Sequence, residues 1–229
     1  MRSVLSRACF LALGLSALAL PAAAQQAPDV DVAFNVGVTS DYIFRGFSQS
    51  DEGPALQGGV DFTSGAFYGG AWASTVDFGD DTDAEVDLYG GFRTEASGYA
   101  LDFGVIGYFY VNEPSGADYN YVEFKAAASR AIDALTVGAA VYWSPDFYGV
   151  DEQAVYLEAN AAYELSPTVT LSGAVGRQWL DVNADYATWN AGAVFALTDA
   201  VALDLRYHGS EDDGPLAGDR FVAGIKLSF

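Results

Sequence analysis

The sequence predicts an all-β protein, a transmembrane antiparallel up-and-down β-barrel of about 12 strands. The last nine residues, FVAGIKLSF, alternate apolar and polar side chains and end on the aromatic Phe229. Such alternation places one face of a strand in an apolar medium and the other in a polar one. Hydrophobic residues make up 51% of the chain, yet beyond residue 24 no apolar run approaches the roughly 20 residues of a membrane helix. Apolarity spread as alternation is typical of a membrane barrel.

The N-terminus is predicted to be a cleaved signal peptide over residues 1–24, which leaves residues 25–229 as one outer-membrane barrel domain. Arg2 and Arg7 supply a positive start, an apolar run of thirteen residues follows, and Ala22-Ala23-Ala24 offers a small-residue cleavage site. A retained anchor is the alternative, but this run is shorter than a spanning helix. The single cysteine lies in this segment, so we expect a mature chain without disulfides.

Twelve segments carry the alternating pattern that predicts strands. In the fifth segment, for example, Leu101 and Phe103 face away from Asp102. A soluble lipocalin-like barrel or sandwich is the alternative, but such a protein seldom places ionised residues in mid-strand on an enclosed face. The predicted strands are 30–43, 54–63, 67–78, 84–95, 99–111, 119–130, 134–144, 154–165, 168–179, 186–197, 200–208 and 220–229.

The predicted connections alternate strictly between short and long, which is typical of a barrel with periplasmic turns at one end and external loops at the other. The short connections are 64–66, 96–98, 131–133, 166–167 and 198–199, and the long ones are 44–53, 79–83, 112–118, 145–153, 180–185 and 209–219. Aromatic residues near the strand ends form two expected interface belts. The loop-side belt is Trp143, Trp179, Trp189 and Tyr207, and the turn-side belt is Tyr99, Tyr163 and Phe229. Trp72 lies in mid-strand and fits neither belt.

The charge of the chain excludes one class of partner. Against 10 Lys and Arg residues stand 31 Asp and Glu residues, and the formal net charge of −21 would repel the phosphates of nucleic acid. The long connections are rich in acids, so we expect a solvated acidic rim, with weak Ca²⁺ or Mg²⁺ bridging as the alternative. Arg177, near the external end of the lipid face, is expected to snorkel to the interface or to contact lipopolysaccharide phosphate.

The opposite, polar phase of the strands is expected to line a lumen. An excess of carboxylates there would attract cations, whereas pairing of the charges across strands would instead plug a narrow barrel. Arg45 is expected either to form a constriction with Asp61, Glu85 or Asp87, or to make a structural ion pair that holds the first loop inward. The candidate pore-lining residues are Asp41, Arg45, Asp61, Glu85, Asp87, Arg93, Asp102, Glu123, Lys125, Glu158, Asp204, Arg206 and Lys226.

No catalytic, cofactor-binding or metal site is predicted, so we expect no enzyme and no cofactor. His208 is the only histidine of the chain, and Ser210 follows it near the predicted barrel rim. A Ser/His hydrolase is a weak alternative, because residues two apart at a strand end need not meet and no nucleophile motif surrounds Ser210.

Residues 36–95 resemble a known family. The segments concerned read SDYIFRGFSQS at 40–50, FYGG at 67–70 and EVDLYGGF at 85–92. They resemble the TorF-type porin family of conserved exported proteins, which implies an outer-membrane barrel of porin-like character. Gly224, Leu227 and Phe229 likewise resemble the terminal signal that the barrel-insertion machinery reads.

We therefore expect an outer-membrane channel for passive diffusion of small hydrophilic solutes that prefers cations. Its expected partners are outer-membrane lipid and lipopolysaccharide, the barrel-insertion machinery and the solutes themselves, with no nucleic acid. The alternative is a non-conducting barrel that acts as a surface scaffold or receptor through its acidic loops.

Overall fold

The computed structural model describes residues 30–148, 152–181 and 184–229. The predicted signal peptide lies outside these ranges, as do small parts of two predicted long connections. The strands are β1 (Asp31–Thr39), β2 (Ile43–Phe44), β3 (Phe47–Ser48), β4 (Ala55–Ser64), β5 (Phe67–Thr75), β6 (Ala84–Ala96), β7 (Tyr99–Val111), β8 (Tyr121–Ile132), β9 (Leu135–Phe147), β10 (Glu152–Ser166), β11 (Val169–Leu180), β12 (Tyr186–Ala196), β13 (Val201–Ser210) and β14 (Arg220–Ser228).

Twelve of these strands, β1 and β4 to β14, form one closed antiparallel barrel, which confirms the predicted fold class. Each strand pairs with its neighbour in the chain, and β14 closes the sheet against β1 from Asn35–Ser228 to Thr39–Gly224. At the end of this seam the Phe34 and Phe229 backbones exchange hydrogen bonds of 2.8 and 3.0 Å. Closure leaves no unpaired edge, the condition for β-strands in lipid.

The barrel exterior is apolar and its interior is polar and aromatic. Along β7, Phe103, Val105 and Phe109 are 48%, 41% and 46% exposed, whereas the alternating Ile106 and Tyr108 are 3% exposed. The pattern follows from the pleat, because successive side chains point to opposite faces of the sheet. Within the part of the chain that the structure describes, no helix has the length and apolarity to cross a membrane.

The predicted first strand, 30–43, is too long, because the wall strand β1 ends at Thr39. There the Thr39 hydroxyl donates to the Asp41 carbonyl at 2.8 Å, and the Asp41 carboxylate accepts from the Ser48 hydroxyl at 2.6 Å and the Ser50 hydroxyl at 3.1 Å. These local hydrogen bonds compete with sheet pairing and turn the chain away from the wall. The predicted third strand, 67–78, likewise ends early, at Thr75.

Residues 41–50, which we call the lumen hairpin, contain β2 and β3, which pair with each other, and single bridges join Phe47 to Ala217 and Ser50 to Asp77. Arg45 and Gly46, its two central residues, have φ of 45° and 87°, as in the tight type I′ turns of hairpins. A Cβ on Gly46 would lie 2.8 Å from the Ser210 Cβ, so glycine also allows a close approach to the wall. The prediction of 44–53 as an external loop is therefore wrong.

Candidate functional site in the barrel lumen

The lumen hairpin crosses the interior of the barrel at its long-connection end. On one side the Tyr42 ring contacts Trp72 of β5, with ring centroids 5.5 Å apart. The Phe44 ring meets Tyr108 of β7 at 5.9 Å, and on the far side Phe47 meets Tyr186 of β12 at 5.2 Å. Contacts with strands so far apart around the wall require the hairpin to span the lumen.

Arg45, at the tip of the hairpin, binds the opposite wall. Its two terminal nitrogens donate to the two Glu123 carboxylate oxygens at 2.6 and 2.8 Å, and one also donates to the Gln178 amide oxygen at 3.2 Å. The guanidinium lies 5.1 Å from the Tyr142 ring centroid and 4.4 Å from that of Tyr156. A bidentate pair together with cation–π contacts to two tyrosine rings holds the side chain in one geometry.

The ion pair of Arg45 differs from the predicted constriction. Its partner is Glu123 on β8, and not Asp61, Glu85 or Asp87. The side chains of Arg45 and Glu123 are only 7% and 1% exposed. Among the alternatives, the geometry fits the structural ion pair that holds the first loop inward.

A second ion pair anchors the base of the hairpin to the last strand. Arg220, the first residue of β14, donates to the Asp41 carboxylate at 3.1 Å and lies 3.4 Å from the Glu52 carboxylate. The Ser48 N–H donates to the Leu216 carbonyl at 2.8 Å, just before β14. The hairpin is therefore fixed at both its tip and its base.

The lumen is filled at the level of the hairpin, in a region that we call the filled layer. Gln178 and Ser144 are 0% exposed, and Glu123 and Glu85 are 1% and 2% exposed, although all four lie on the inner face of the wall. Aromatic side chains pack between them and the hairpin. The buried members of this cluster are Ile106, Tyr108, Tyr110, Tyr121, Ala140, Tyr142 and Tyr156.

The turn-side lumen, which lies between the filled layer and the short turns, carries hydrogen-bonded charges. The Asp102 carboxylate accepts from Lys125 at 3.0 Å, from Tyr68 at 2.7 Å and from Arg93 at 3.4 Å. The Asp61 carboxylate accepts from the Tyr89 hydroxyl at 2.5 Å.

A second charged group lies across the turn-side lumen from Asp102. Arg206 donates to Asp204 at 3.2 Å, to Asn190 at 2.7 Å and to Ser172 at 2.9 Å. Glu158 accepts from Asn160 at 3.1 Å.

The structure places the predicted pore-lining residues as follows. Asp41 and Arg45 lie on the lumen hairpin, and the others occupy inward positions of β4, β6, β7, β8, β10, β13 and β14. Several of these residues form ion pairs in the structure. The pairs are Arg45–Glu123, Arg93–Asp102, Lys125–Asp102, Arg206–Asp204 and Arg220–Asp41. In the described structure, the carboxylates that form no ion pair within 4.0 Å include Asp61, Glu85, Asp87 and Glu158. Whether these residues line a solute path stays a prediction.

Sequence reasoning missed the aromatic part of the site. Trp72, which fits neither interface belt, points inward and is 7% exposed against Tyr42. Tyr108, Tyr142 and Tyr156 occupy the same inward phase as the charged residues. That shared phase was visible in the sequence and is the signal that could have identified them.

Three further expectations concern a Ser/His pair, Arg177 and metal binding near the barrel rim. No hydrogen bond joins His208 to Ser210 in the described structure, where the Ser210 hydroxyl instead accepts the Asp212 N–H at 3.2 Å. Arg177 forms ion pairs with Glu211 at 3.3 Å and Asp185 at 3.9 Å. No group of three or more His, Cys, Asp or Glu side chains in the described ranges is arranged to hold a metal ion.

Acids of the external connection between β5 and β6 are hydrogen-bonded within that connection and to the one between β7 and β8. Hydrogen bonding from Thr82 and from the Tyr119 hydroxyl lowers the pKa of Asp80, because both favour the ionised carboxylate. The Asn112 amide donates to the Asp83 carboxylate at 2.5 Å. Both carboxylates are therefore held by hydrogen bonds at the loop end of the barrel, where an acidic rim is predicted.

Comparison with known protein families shows to which family the chain belongs. Residues 23–225 match the family described as "Bacterial protein of unknown function (Gcw_chp)". The chain belongs to this family. The description does not mention TorF, so that resemblance stays a prediction. Comparison with curated protein sequences gives no match.

Solved structures show which fold this Gcw_chp member has. It is similar to the NanC porin with a TM-score of 0.59 and to the KdgM porin with a TM-score of 0.61, both at 9% identity. Each match covers 86% of this chain and 99% of the porin. An outer-membrane channel from Pseudomonas putida F1 matches with a TM-score of 0.54 and 10% identity over 90% of this chain and 96% of that one. The fold is therefore that of outer-membrane porins.

Proposed function

We propose that this Gcw_chp member is an outer-membrane channel through which small hydrophilic solutes diffuse passively. The observation that carries the proposal is a closed porin-like barrel with an apolar exterior and charged side chains inside. A barrel that served only as a rigid scaffold would be more stable with an apolar interior, because burying charged side chains costs free energy of folding even when they are paired. Charged walls are compatible with a water-filled passage.

The charge balance of the lumen supports a preference for cations. Five inward-facing basic side chains contact a carboxylate and Lys226 of β14 also faces inward; the five are Arg45, Arg93, Lys125, Arg206 and Arg220. Among the described residues, no basic side chain lies within 4.0 Å of four inward-facing carboxylates, which are Asp61, Glu85, Asp87 and Glu158. Excess carboxylates raise the local concentration of cations and repel anions. KdgM has been solved in complex with disordered oligogalacturonate. The acidic lumen of this chain favours neutral or cationic solutes.

The alternative function is a non-conducting barrel that acts as a surface scaffold or receptor through its acidic loops. The filled layer is the specific observation that favours it, because Gln178 and Ser144 are 0% exposed inside the barrel. Conduction requires the lumen hairpin to move away from this layer or to leave water-filled space beside it. In either case we infer a conductance lower than that of an unobstructed barrel.

The proposed location follows from the same fold. Residues 1–24 would direct export and be removed, and Gly224, Leu227 and Phe229 would present the terminal signal to the insertion machinery. Outer-membrane lipid would then surround the exposed apolar band, and lipopolysaccharide would meet its external end. There Arg177, already bound to Glu211 and Asp185, could also contact lipopolysaccharide phosphate.

Two measurements test the proposed function. We expect the refolded protein to produce channel events in a planar lipid bilayer, with a reversal potential in a KCl gradient that indicates cation preference. Absence of events at every salt concentration would favour the scaffold, and an anion-selective reversal potential would refute the cation preference. We also expect the expressed protein to stay with the outer-membrane fraction after sonication and to be released by detergent, and release without detergent would contradict the location.

A further inference from the structure

Glu85 and Asp87 are two buried carboxylates that the other lumen charges do not balance. They lie two residues apart on β6, so both point inward, and they are 2% and 5% exposed. The Tyr42 hydroxyl of the lumen hairpin donates to Glu85 at 2.8 Å. One Asp87 carboxylate oxygen, Oδ1, is buried and has no hydrogen-bond partner in the described structure.

The surroundings of the pair contain no compensating charge. Across the sheet, Glu85 lies beside Ser74 and Tyr110, and Asp87 lies beside Trp72 and Tyr108, all of which are neutral. No basic side chain among the described residues lies within 4.0 Å of either carboxylate.

Arg45, the basic residue of the lumen hairpin, is already engaged. Both oxygens of Glu123 hold it, at 2.6 and 2.8 Å. The neutral walls and the occupied arginine therefore leave the Glu85–Asp87 pair in need of a partner from outside the chain.

We propose that Glu85 and Asp87 together bind one divalent metal cation of the Ca²⁺ or Mg²⁺ class within the filled layer. Two carboxylates buried side by side need a proton or a cation as compensation, because in the ionised form each loses its hydration and repels the other. A divalent cation matches their combined charge, and hard cations prefer carboxylate oxygens. The orphaned Asp87 oxygen is the acceptor that such an ion would use.

Two carboxylates supply only part of a coordination shell. Mg²⁺ commonly binds through one or two carboxylates and keeps several waters, and Ca²⁺ accepts mixed sets of carboxylate, hydroxyl and water oxygens. Water and the Tyr42 or Tyr110 hydroxyls would complete the shell here. Such a site would add a bound cation to the proposed cation-preferring channel. The proposed channel is also the route by which the ion would reach the site.

The test measures binding by the full-length mature protein, refolded in detergent and treated with a chelator. We expect added CaCl₂ or MgCl₂ to raise the melting temperature of the wild type and of the control Asp61→Asn, whose carboxylate accepts from Tyr89 instead. In Asp87→Asn the dissociation constant should rise about tenfold or more, because ligand charge sets the affinity of such sites. The wild type and both variants have the same acids in their external loops. Any cation binding to those loops therefore contributes equally to all three melting temperatures.

Terbium(III) luminescence gives a readout in the wild type that needs no variant to fold. Tb³⁺ replaces Ca²⁺ at carboxylate sites and emits when a nearby aromatic ring is excited, and Trp72, Tyr108 and Tyr110 lie beside the pair. We expect sensitised emission that Ca²⁺ displaces and that Asp87→Asn reduces. An equal melting shift in Asp87→Asn, or a wild type that binds none of the three ions, would overturn the site and leave a shared proton as the compensating charge.

The bilayer measurement separates this inference from the proposed function. Cation binding without any channel events would refute the channel and retain the site. Channel events without binding would retain the channel and refute the site.

Discussion

Replacing Arg45 by alanine should release the lumen hairpin and enlarge the conductance of the protein. The substitution removes both hydrogen bonds to Glu123, at 2.6 and 2.8 Å, and leaves that carboxylate 1% exposed without its cation. Removing one partner of a buried ion pair costs about 3–5 kcal/mol. About 1.4 kcal/mol corresponds to a tenfold change in an equilibrium constant. The equilibrium constant between the docked and the released hairpin therefore shifts by roughly two to three and a half powers of ten.

The barrel itself should survive this change. The two strands of the hairpin lie outside the sheet of the wall, and single bridges join the hairpin to Ala217 and Asp77, whereas the wall strands hydrogen-bond in an unbroken ring that does not include the hairpin. Arg45 also has a φ of 45°, which is a strained backbone conformation for a residue other than glycine. The contacts of its side chain with the wall offset this strain, and alanine would lack those contacts. We therefore expect release of the hairpin, and not unfolding of the sheet.

Single-channel conductance and hydrogen exchange together measure the release. Arg45→Ala should give larger conductance steps than the wild type and faster exchange of the Ser48 and Gln49 amides, which donate to Leu216 and Tyr42. The matched control is Arg206→Ala, which also removes one positive charge from the lumen but contacts Asp204, Asn190 and Ser172 and not the hairpin. Unchanged conductance and exchange in Arg45→Ala, or equal changes in both variants, would refute the reasoning.

Three further predictions concern the wall. Val105→Arg, at the middle of β7 on the lipid face, should lower the free energy of unfolding in bilayers by about 2–4 kcal/mol, and Val105→Ala at the same site should cost clearly less; equal losses would contradict a lipid-facing position. Gly91→Val should cost at least about 1–3 kcal/mol in urea unfolding, because its side chain would collide with both the Phe103 backbone carbonyl and the Tyr68 hydroxyl; Tyr68→Leu should restore only part of the loss, and a complete rescue would contradict the backbone clash. Deleting Phe229 should slow the appearance of the heat-modifiable folded band on electrophoresis, since its backbone bonds and its ring, 5.9 Å from Phe34, close the seam; unchanged folding would show that the seam closes without it.

The wall of the barrel was predictable because its physics is local. In β7, Phe103 and Val105 alternate with Asp102, and this period of two fixes which face of the strand meets lipid. Turn chemistry then marks the short connections, as at Ser97 and Gly98, whose φ angles of 54° and 79° suit a tight hairpin. Both signals lie within a few residues of the feature that they predict.

The lumen hairpin was not predictable for the opposite reason. Ile43 continues the apolar content of β1, so the local pattern extends the predicted wall strand to residue 43 and leaves Phe44 and Phe47 in the predicted connection 44–53. What moves them inside is a set of contacts with distant residues, such as the Arg45–Glu123 pair, which spans 78 positions of the chain.

Alternation likewise determines only part of the candidate site. It assigns Glu123 and Arg206 to the inner face, but their height in the barrel and their position around it depend on strand register. The pairing of Arg45 with Glu123, and the absence of any such pairing for Glu85 and Asp87, therefore required coordinates.

The attachment of the lumen hairpin at its base also bears on how the molecule assembles. The hairpin follows β1 directly, and it bonds to Leu216 and Arg220 at the entrance to β14, the strand that completes the ring against β1. The last step of sheet formation and the docking of the hairpin therefore bring the same two chain segments together. A nascent barrel would acquire its internal obstruction as its first and last strands join, so no separate stage of the biogenesis pathway needs to hold an unobstructed pore in the membrane.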